Sequence, residues 1–186
     1  MRLCACALAL ALLGGCRAVY VSQPIGDAPE DIQADAADWE GSWLGPEGMT
    51  LTVHVADGTN GFLNVGYVES SKEGLKVESF NVYLRSCAKE WTFASMLPAS
   101  ETNETRYLWG RIKKDDRMII LWPPDVSKFD DLVTRGCLPG TVSNATHSTS
   151  VYLGSLGTNH LDLIRSETNG VLFVWDQPLV FLKLSK

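Results

Sequence analysis

This 186-residue chain has little positive charge, little histidine and no long hydrophobic run. Its most extended apolar stretch near the start, Leu3 to Leu13, spans eleven residues. A helix that stays in a bilayer needs about 20, so this stretch is too short for a permanent span. Acidic residues outnumber basic ones 22 to 16, for a net charge of −6, and no basic cluster exceeds the pair Lys113-Lys114. Such a chain lacks the electrostatic footprint that nucleic acid or an anionic membrane surface requires, and no nucleic-acid partner is expected.

The residue types that carry chemistry are equally sparse. Of the three histidines, His54 falls on the polar side of an alternating segment, His147 lies in a polar loop and His160 stands near a helix start. None has a Cys, His or carboxylate at metal-ligand spacing, so no metal and no cofactor are expected. Asp115-Asp116 and Asp130-Asp131 are paired in sequence, but neighbours on a strand or helix point apart. They read as solvated turn and helix charges. There is no phosphate-cradling glycine loop and no G-x-S-x-G nucleophile turn. The expectation is a protein that is not an enzyme.

What is present begins at the N-terminus, MRLCACALALALLGGC. Arg2 gives a short positive region, the eleven apolar residues follow, and small residues precede Cys16. That is the layout of a secretory signal. Leu13-Gly14-Gly15-Cys16 resembles a lipobox, the motif of bacterial lipoproteins in which the cysteine is lipidated and becomes the first residue of the mature chain. The resemblance implies cleavage after residue 15. It also implies a thioether diacylglycerol and an N-acyl chain on Cys16, and a lipid bilayer as partner through that anchor. Several acyl chains together hold a protein stably, whereas one is marginal. Arg17, where enteric-type inner-membrane lipoproteins carry Asp, is similar to the outer-membrane class and implies a location facing the periplasm.

Removal of residues 1–15 leaves 171 residues, enough for one domain with a proper core. It takes away one basic residue, so the mature formal charge is −7, from 15 basic and 22 acidic residues. Of five cysteines, Cys4 and Cys6 leave with the signal and Cys16 takes lipid. Cys87 and Cys137 remain, and an oxidising compartment favours a disulfide between them, against the alternative of two buried thiols. Such a bridge would close a loop of about 50 residues and stabilise the fold by roughly 3–4 kcal/mol.

Residues 16–38 read as the lipidated cysteine followed by a flexible tether, because Gln23 to Asp31 combines two prolines with three acids and little apolar content. From Trp39 to residue 186 the texture changes to short alternating strands. Met49, Leu51, Val53 and Val55 alternate with Thr50, Thr52 and His54. Asp57-Gly58 and Asn60-Gly61 are hairpin-turn chemistry. Further strands are expected near 62–68, 75–84, 91–97, 107–112, 118–122, 151–154, 171–175 and 179–184. Two helical insertions are expected. Asp125 to Arg135 buries Val126, Phe129, Leu132 and Val133 and stops at Gly136; Asn159 to Ser166 has Thr158 as cap and turns Leu161 and Ile164 inward. The pattern is all-β, a single antiparallel β-barrel of about 8–10 strands, since closure removes sheet edges.

Gly41-Ser42-Trp43 is similar to the G-x-W at the start of lipocalin-like barrels. That resemblance implies an up-and-down barrel with the Trp packed at its closed end and an interior that holds a small apolar ligand. Leu44 to Gly48 departs from it by interrupting the step from Trp to strand. Six tryptophans are many for this length. Trp91 with Phe93, and Tyr107 with Trp109, stand at alternate positions of neighbouring strands, so each pair shares one face of the sheet. These four are the candidate contacts for an acyl chain or similar apolar group, should that face be the barrel interior. Docking on another envelope protein, as an inhibitor or assembly factor does, is the alternative expectation.

Overall fold

The computed structural model describes residues 17–71, 74–87, 91–100, 106–145, 148–166 and 171–184. The signal segment, Cys16 and His147 lie outside them. In chain order the first strands are β1 (Arg17–Val21), β2 (Ala28–Pro29), β3 (Gly41–Leu44), β4 (Thr50–Asp57), β5 (Phe62–Ser71) and β6 (Gly74–Cys87). The others are β7 (Trp91–Pro98), β8 (Tyr107–Lys114), β9 (Met118–Trp122), β10 (Gly140–Ala145), β11 (Ser148–Leu153) and β12 (Leu179–Lys183). The helices are α1 (Ala36–Trp39), α2 (Val126–Thr134) and α3 (Thr158–Arg165).

From β3 to β9 each strand pairs antiparallel with the next; β9 then pairs with β12, and β12 closes on β3. The result is a closed eight-strand antiparallel barrel, as the alternating segments required. It is an up-and-down meander with one excursion, residues 123–178, between its last two strands. The period-2 pattern sets the inside: Val53, Leu63, Tyr67, Phe80, Leu84 and Phe181 are buried in the barrel core. At one end the β4–β5 turn is covered by the chain that precedes β3. The Ile32 amide donates to the Gly58 carbonyl at 2.9 Å, and Ile32 and Trp39 join the barrel core.

A second core lies on the outer wall. Here the structure departs from the expected tether. Arg17–Val21 forms β1, which runs parallel to β11 (Val19 opposite Val151) and antiparallel to the start of β8 (Tyr20 opposite Leu108). Val19, Val21, Ile25 and Ile32 are all buried. Low mean hydropathy over residues 17–38 conceals a few well-spaced apolar side chains, and those are what the fold uses. The hairpin β10–β11 extends the same sheet, and α2 packs across β1, β10 and β11.

Both helical insertions form. Asp125 caps α2, its carboxylate accepting from the Ser127 amide at 3.0 Å. Val126, Phe129 and Leu132 are buried, and Gly136 ends the helix at φ +71°, a backbone region open to glycine. In α3, Leu161 and Ile164 face inward. Thr158 is its first helical residue rather than its cap, and the Gly157 amide donates to His160 Nδ1 at 3.0 Å. Residues 171–175 do not form a strand; only Phe173 bridges, to Pro124. Gly41–Leu44 is itself the first barrel strand. Trp43 is fully buried, and its indole N–H donates to the Trp39 carbonyl at 3.0 Å.

The expected disulfide is absent. Cys87 and Cys137 are free thiols, the first buried in the second core at the end of β6, the second exposed beyond α2. Elimination left them as the only pair, but it could not orient them. One side chain is committed to packing inward while the other stands in solvent.

Candidate functional site

The barrel interior is largely filled. A residual cavity of about 80 Å³ remains, walled wholly by apolar side chains. A larger cleft, of about 230 Å³, lies where the sheet forks.

The fork has a local cause. Tyr107 and Leu108 of β8 pair with β1, whereas Arg111 to Lys114 pair with β9. Two strands therefore share one edge of β8 and separate at Trp109 and Gly110. Pro123 and Pro124 follow β9 directly and have no amide hydrogen, so β9 cannot extend its ladder and close the gap. Gly110 lets β9 come close: a Cβ there would stand 2.8 Å from the Trp122 carbonyl oxygen and 3.1 Å from Leu121 Cδ1.

Arg17, Ala18 and Val19 form one wall of the cleft. Pro46, Pro123, Pro124 and Pro178, half of the chain's eight prolines, contribute to the rest. Proline walls are rigid and bring no donors. Met96, Leu121 and Leu179 border both the cleft and the interior cavity, so the two spaces meet at these side chains. Trp109 also lines the cleft. It is 3% exposed, and among the described residues its buried indole N–H has no hydrogen-bond partner. A buried donor left unmade costs about 1–3 kcal/mol. Chemically the arrangement suits an alkyl chain, with one cation, Arg17, exposed at its edge.

The four aromatic candidates do not line the interior. Interior positions of β7 and β8 are the even ones, Ala94, Met96 and Ile112, while Trp91, Phe93, Tyr107 and Trp109 face outward. Phe93 is fully buried between Trp91, Trp109 and Phe173, at centroid distances of 6.0, 5.6 and 6.2 Å. Tyr107 meets Tyr83 edge-on at 5.9 Å, and burial, then Tyr83, raises its phenol above the usual value. Only Trp109 reaches the cleft. Alternation told which residues share a face, but not which face is inside. The missed lining residues, Ala18, Met96 and the prolines, carried one signal, the Pro123-Pro124 stop directly after a strand.

Trp91 belongs instead to a surface stack. The Arg111 guanidinium carbon lies 3.8 Å from the centroid of the Trp91 ring and 4.9 Å from that of Trp175, and Trp175 stacks on Trp122 at 4.6 Å.

Four of the polar candidates are engaged locally. His54 Nδ1 lies 3.0 Å from Glu40 Oε1 at the surface. Asp115 accepts from the Arg117 amide, Asp130 from the Thr134 hydroxyl and Asp131 from Arg135. No group of three His, Cys, Asp or Glu gathers at metal distance among the described residues. Burial pushes the Cys87 thiol up to about 11, with Arg165 opposing and Asp27 and Asp162 adding to the shift. At neutral pH it is a thiol, not a nucleophilic thiolate. No family model, no curated protein and no solved structure matches this chain.

Proposed function

We propose that this chain is a bacterial envelope lipoprotein, held through lipid on Cys16 at the outer membrane facing the periplasm. It acts without catalysis and binds a small apolar ligand at the fork between β1 and β9. The single observation that carries the ligand reading is the apolar cleft of about 230 Å³, which shares Met96, Leu121 and Leu179 with the lining of the interior cavity. Ligand sites are commonly concave and mostly apolar with a few polar groups, and barrel mouths are among their usual places. The volume is small and suits one alkyl chain rather than a multi-chain lipid. The anchoring reading rests on Leu13-Gly14-Gly15-Cys16. The up-and-down strand order, with Gly41-Ser42-Trp43 on its first strand, supports a lipocalin-like relationship.

Docking on an envelope protein is the second reading, and one observation favours it. Leu75 and Val77 on the β5–β6 hairpin stand 74% and 67% exposed, more than any other large apolar side chain described.

Tryptophan fluorescence of the chain from residue 17 tests the first reading. Residue 17 is the right start because β1 belongs to the fold. Titration with fatty acids, lysophospholipids and 8-anilinonaphthalene-1-sulfonate should give a saturable change with at least one of them. Ala18→Trp, which fills the cleft, should weaken it at least tenfold. A flat titration with all three overturns ligand binding and leaves the docking reading.

A further inference from the structure

We infer that the occupant of the fork cleft is the protein's own lipid: one acyl chain carried by Cys16 folds back between β1 and the Pro123-Pro124 segment. The inference rests on the lipoprotein reading and deepens it, because it turns the anchor into an intramolecular ligand.

The first support is distance along the chain. Arg17 is both the first residue of β1 and a wall of the cleft. Cys16 is the residue before it, and consecutive Cα atoms are about 3.8 Å apart. An acyl group on Cys16 is therefore attached one residue from a wall of the cleft. No spacer intervenes, because the segment expected to be one is β1 and the packed chain after it. A ligand tethered this closely faces its site at an effective concentration of about millimolar or more, well above that of a free envelope lipid in water.

The second support is the chemistry of the cleft. Its walls are almost wholly apolar, four prolines remove amide donors from them, and its volume takes one chain and not several. Trp109, at the base of the cleft, adds an aromatic wall to the same apolar lining.

The third support is charge. With no spacer, inserting every chain in the bilayer presses the domain against the headgroups. The mature chain carries −7, so an anionic surface repels it. Housing one chain in the protein leaves fewer chains to hold the domain against that repulsion. Membrane and cleft then compete for the same acyl group, and a protein with a chain sheathed holds the bilayer less firmly.

Photo-crosslinking of the full lipidated protein in cells decides the matter. Cells are fed a fatty acid bearing a terminal diazirine and an alkyne, irradiated, and the protein is digested for mass spectrometry. The expected result is an intramolecular crosslink from the Cys16 peptide to peptides containing Met96, Leu108 or Trp109. In Ala18→Trp the crosslink should fall at least tenfold while label incorporation is unchanged. Label on Cys16 with crosslinks only to lipid or to other proteins overturns the inference and leaves the anchoring reading intact. Absence of any label on Cys16 overturns both. The test in the wild-type protein does not depend on the variant folding.

Discussion

Trp109 of β8 and Phe129 of α2 meet edge to face, with ring centroids 5.6 Å apart and planes at 86°. Phe173, in the excursion between β9 and β12, meets the same Trp109 ring at 5.7 Å and 87°. One tryptophan on the outer wall of the barrel thus holds two segments of the inserted chain. Such pairs contribute about 0.5–1.5 kcal/mol beyond the area they bury. The aromatic face of β7 and β8 is therefore the foundation of a second core rather than the lining of the first.

Phe129→Ala should consequently destabilise the protein by about 3–5 kcal/mol, the usual cost of truncating a fully buried aromatic. Urea unfolding of wild type and variant measures it. A loss under 1 kcal/mol would mean that α2 is not anchored on the barrel as described.

Gly110→Ala tests the fork. The added Cβ meets the Trp122 carbonyl and Leu121, so β9 must shift away from β8. Over-packing of this kind costs about 1–3 kcal/mol. The same shift moves Leu121, which borders both cavities, so response to an apolar probe should change as well. Unchanged stability in thermal melts would contradict the close approach of the two strands.

Cys87 sets an alkaline limit. Its thiol titrates near 11 in the folded protein, against 9.0 in an open environment, because burial disfavours the thiolate. The folded state holds its proton more tightly than the unfolded state. The contribution is complete below pH 9 and is lost as pH rises towards 11, by on the order of 2 kcal/mol. Cys87→Ala should flatten that part of the stability–pH curve and leave the smaller slope from Tyr107, whose phenol is also raised. An unaltered curve would show that Cys87 is not the group responsible. In the native chain from residue 17, a thiol reagent should modify Cys137 and spare Cys87 until denaturant is added. A disulfide-linked peptide in a non-reduced digest would refute the free-thiol arrangement.

Cys16→Ser should abolish lipid attachment and leave the precursor uncut at residue 15. Radiolabelled fatty acid supplied to cells reads this directly. Equal label on both proteins would remove the basis for the anchoring proposal.

The strands were legible where apolar and polar residues alternate, as in β4, or where a short apolar run is bounded by turn residues, as in β9 and β12. Met118–Trp122 is the segment expected, and β4 to β8 and β12 differ from expectation mainly at their ends. The helix after Pro123-Pro124 was legible because its apolar spacing, Asp125 and Gly136 agree. Strands β1, β2, β3 and β10 were not. All four are short or polar, and β1 and β2 also pair far off in sequence, as Arg17 with Thr149 and Ala28 with Ser86. No local pattern encodes such pairing.

By itself, then, the sequence determined an all-β chain with a closed barrel and two helical insertions, and a start that resembles a lipobox. Each of these depends on local spacing: period two, period 3.6, turn residues and a short apolar run. Only the tertiary structure decided which face of each strand is inside, that the chain after Cys16 is a strand and not a tether, that Cys87 and Cys137 stay apart, and that an apolar cleft opens where β1 and β9 part. For the strands the reason is the same. A strand offers two faces and two edges of equal local character, and the choice between them is made by what packs against them from elsewhere in the chain.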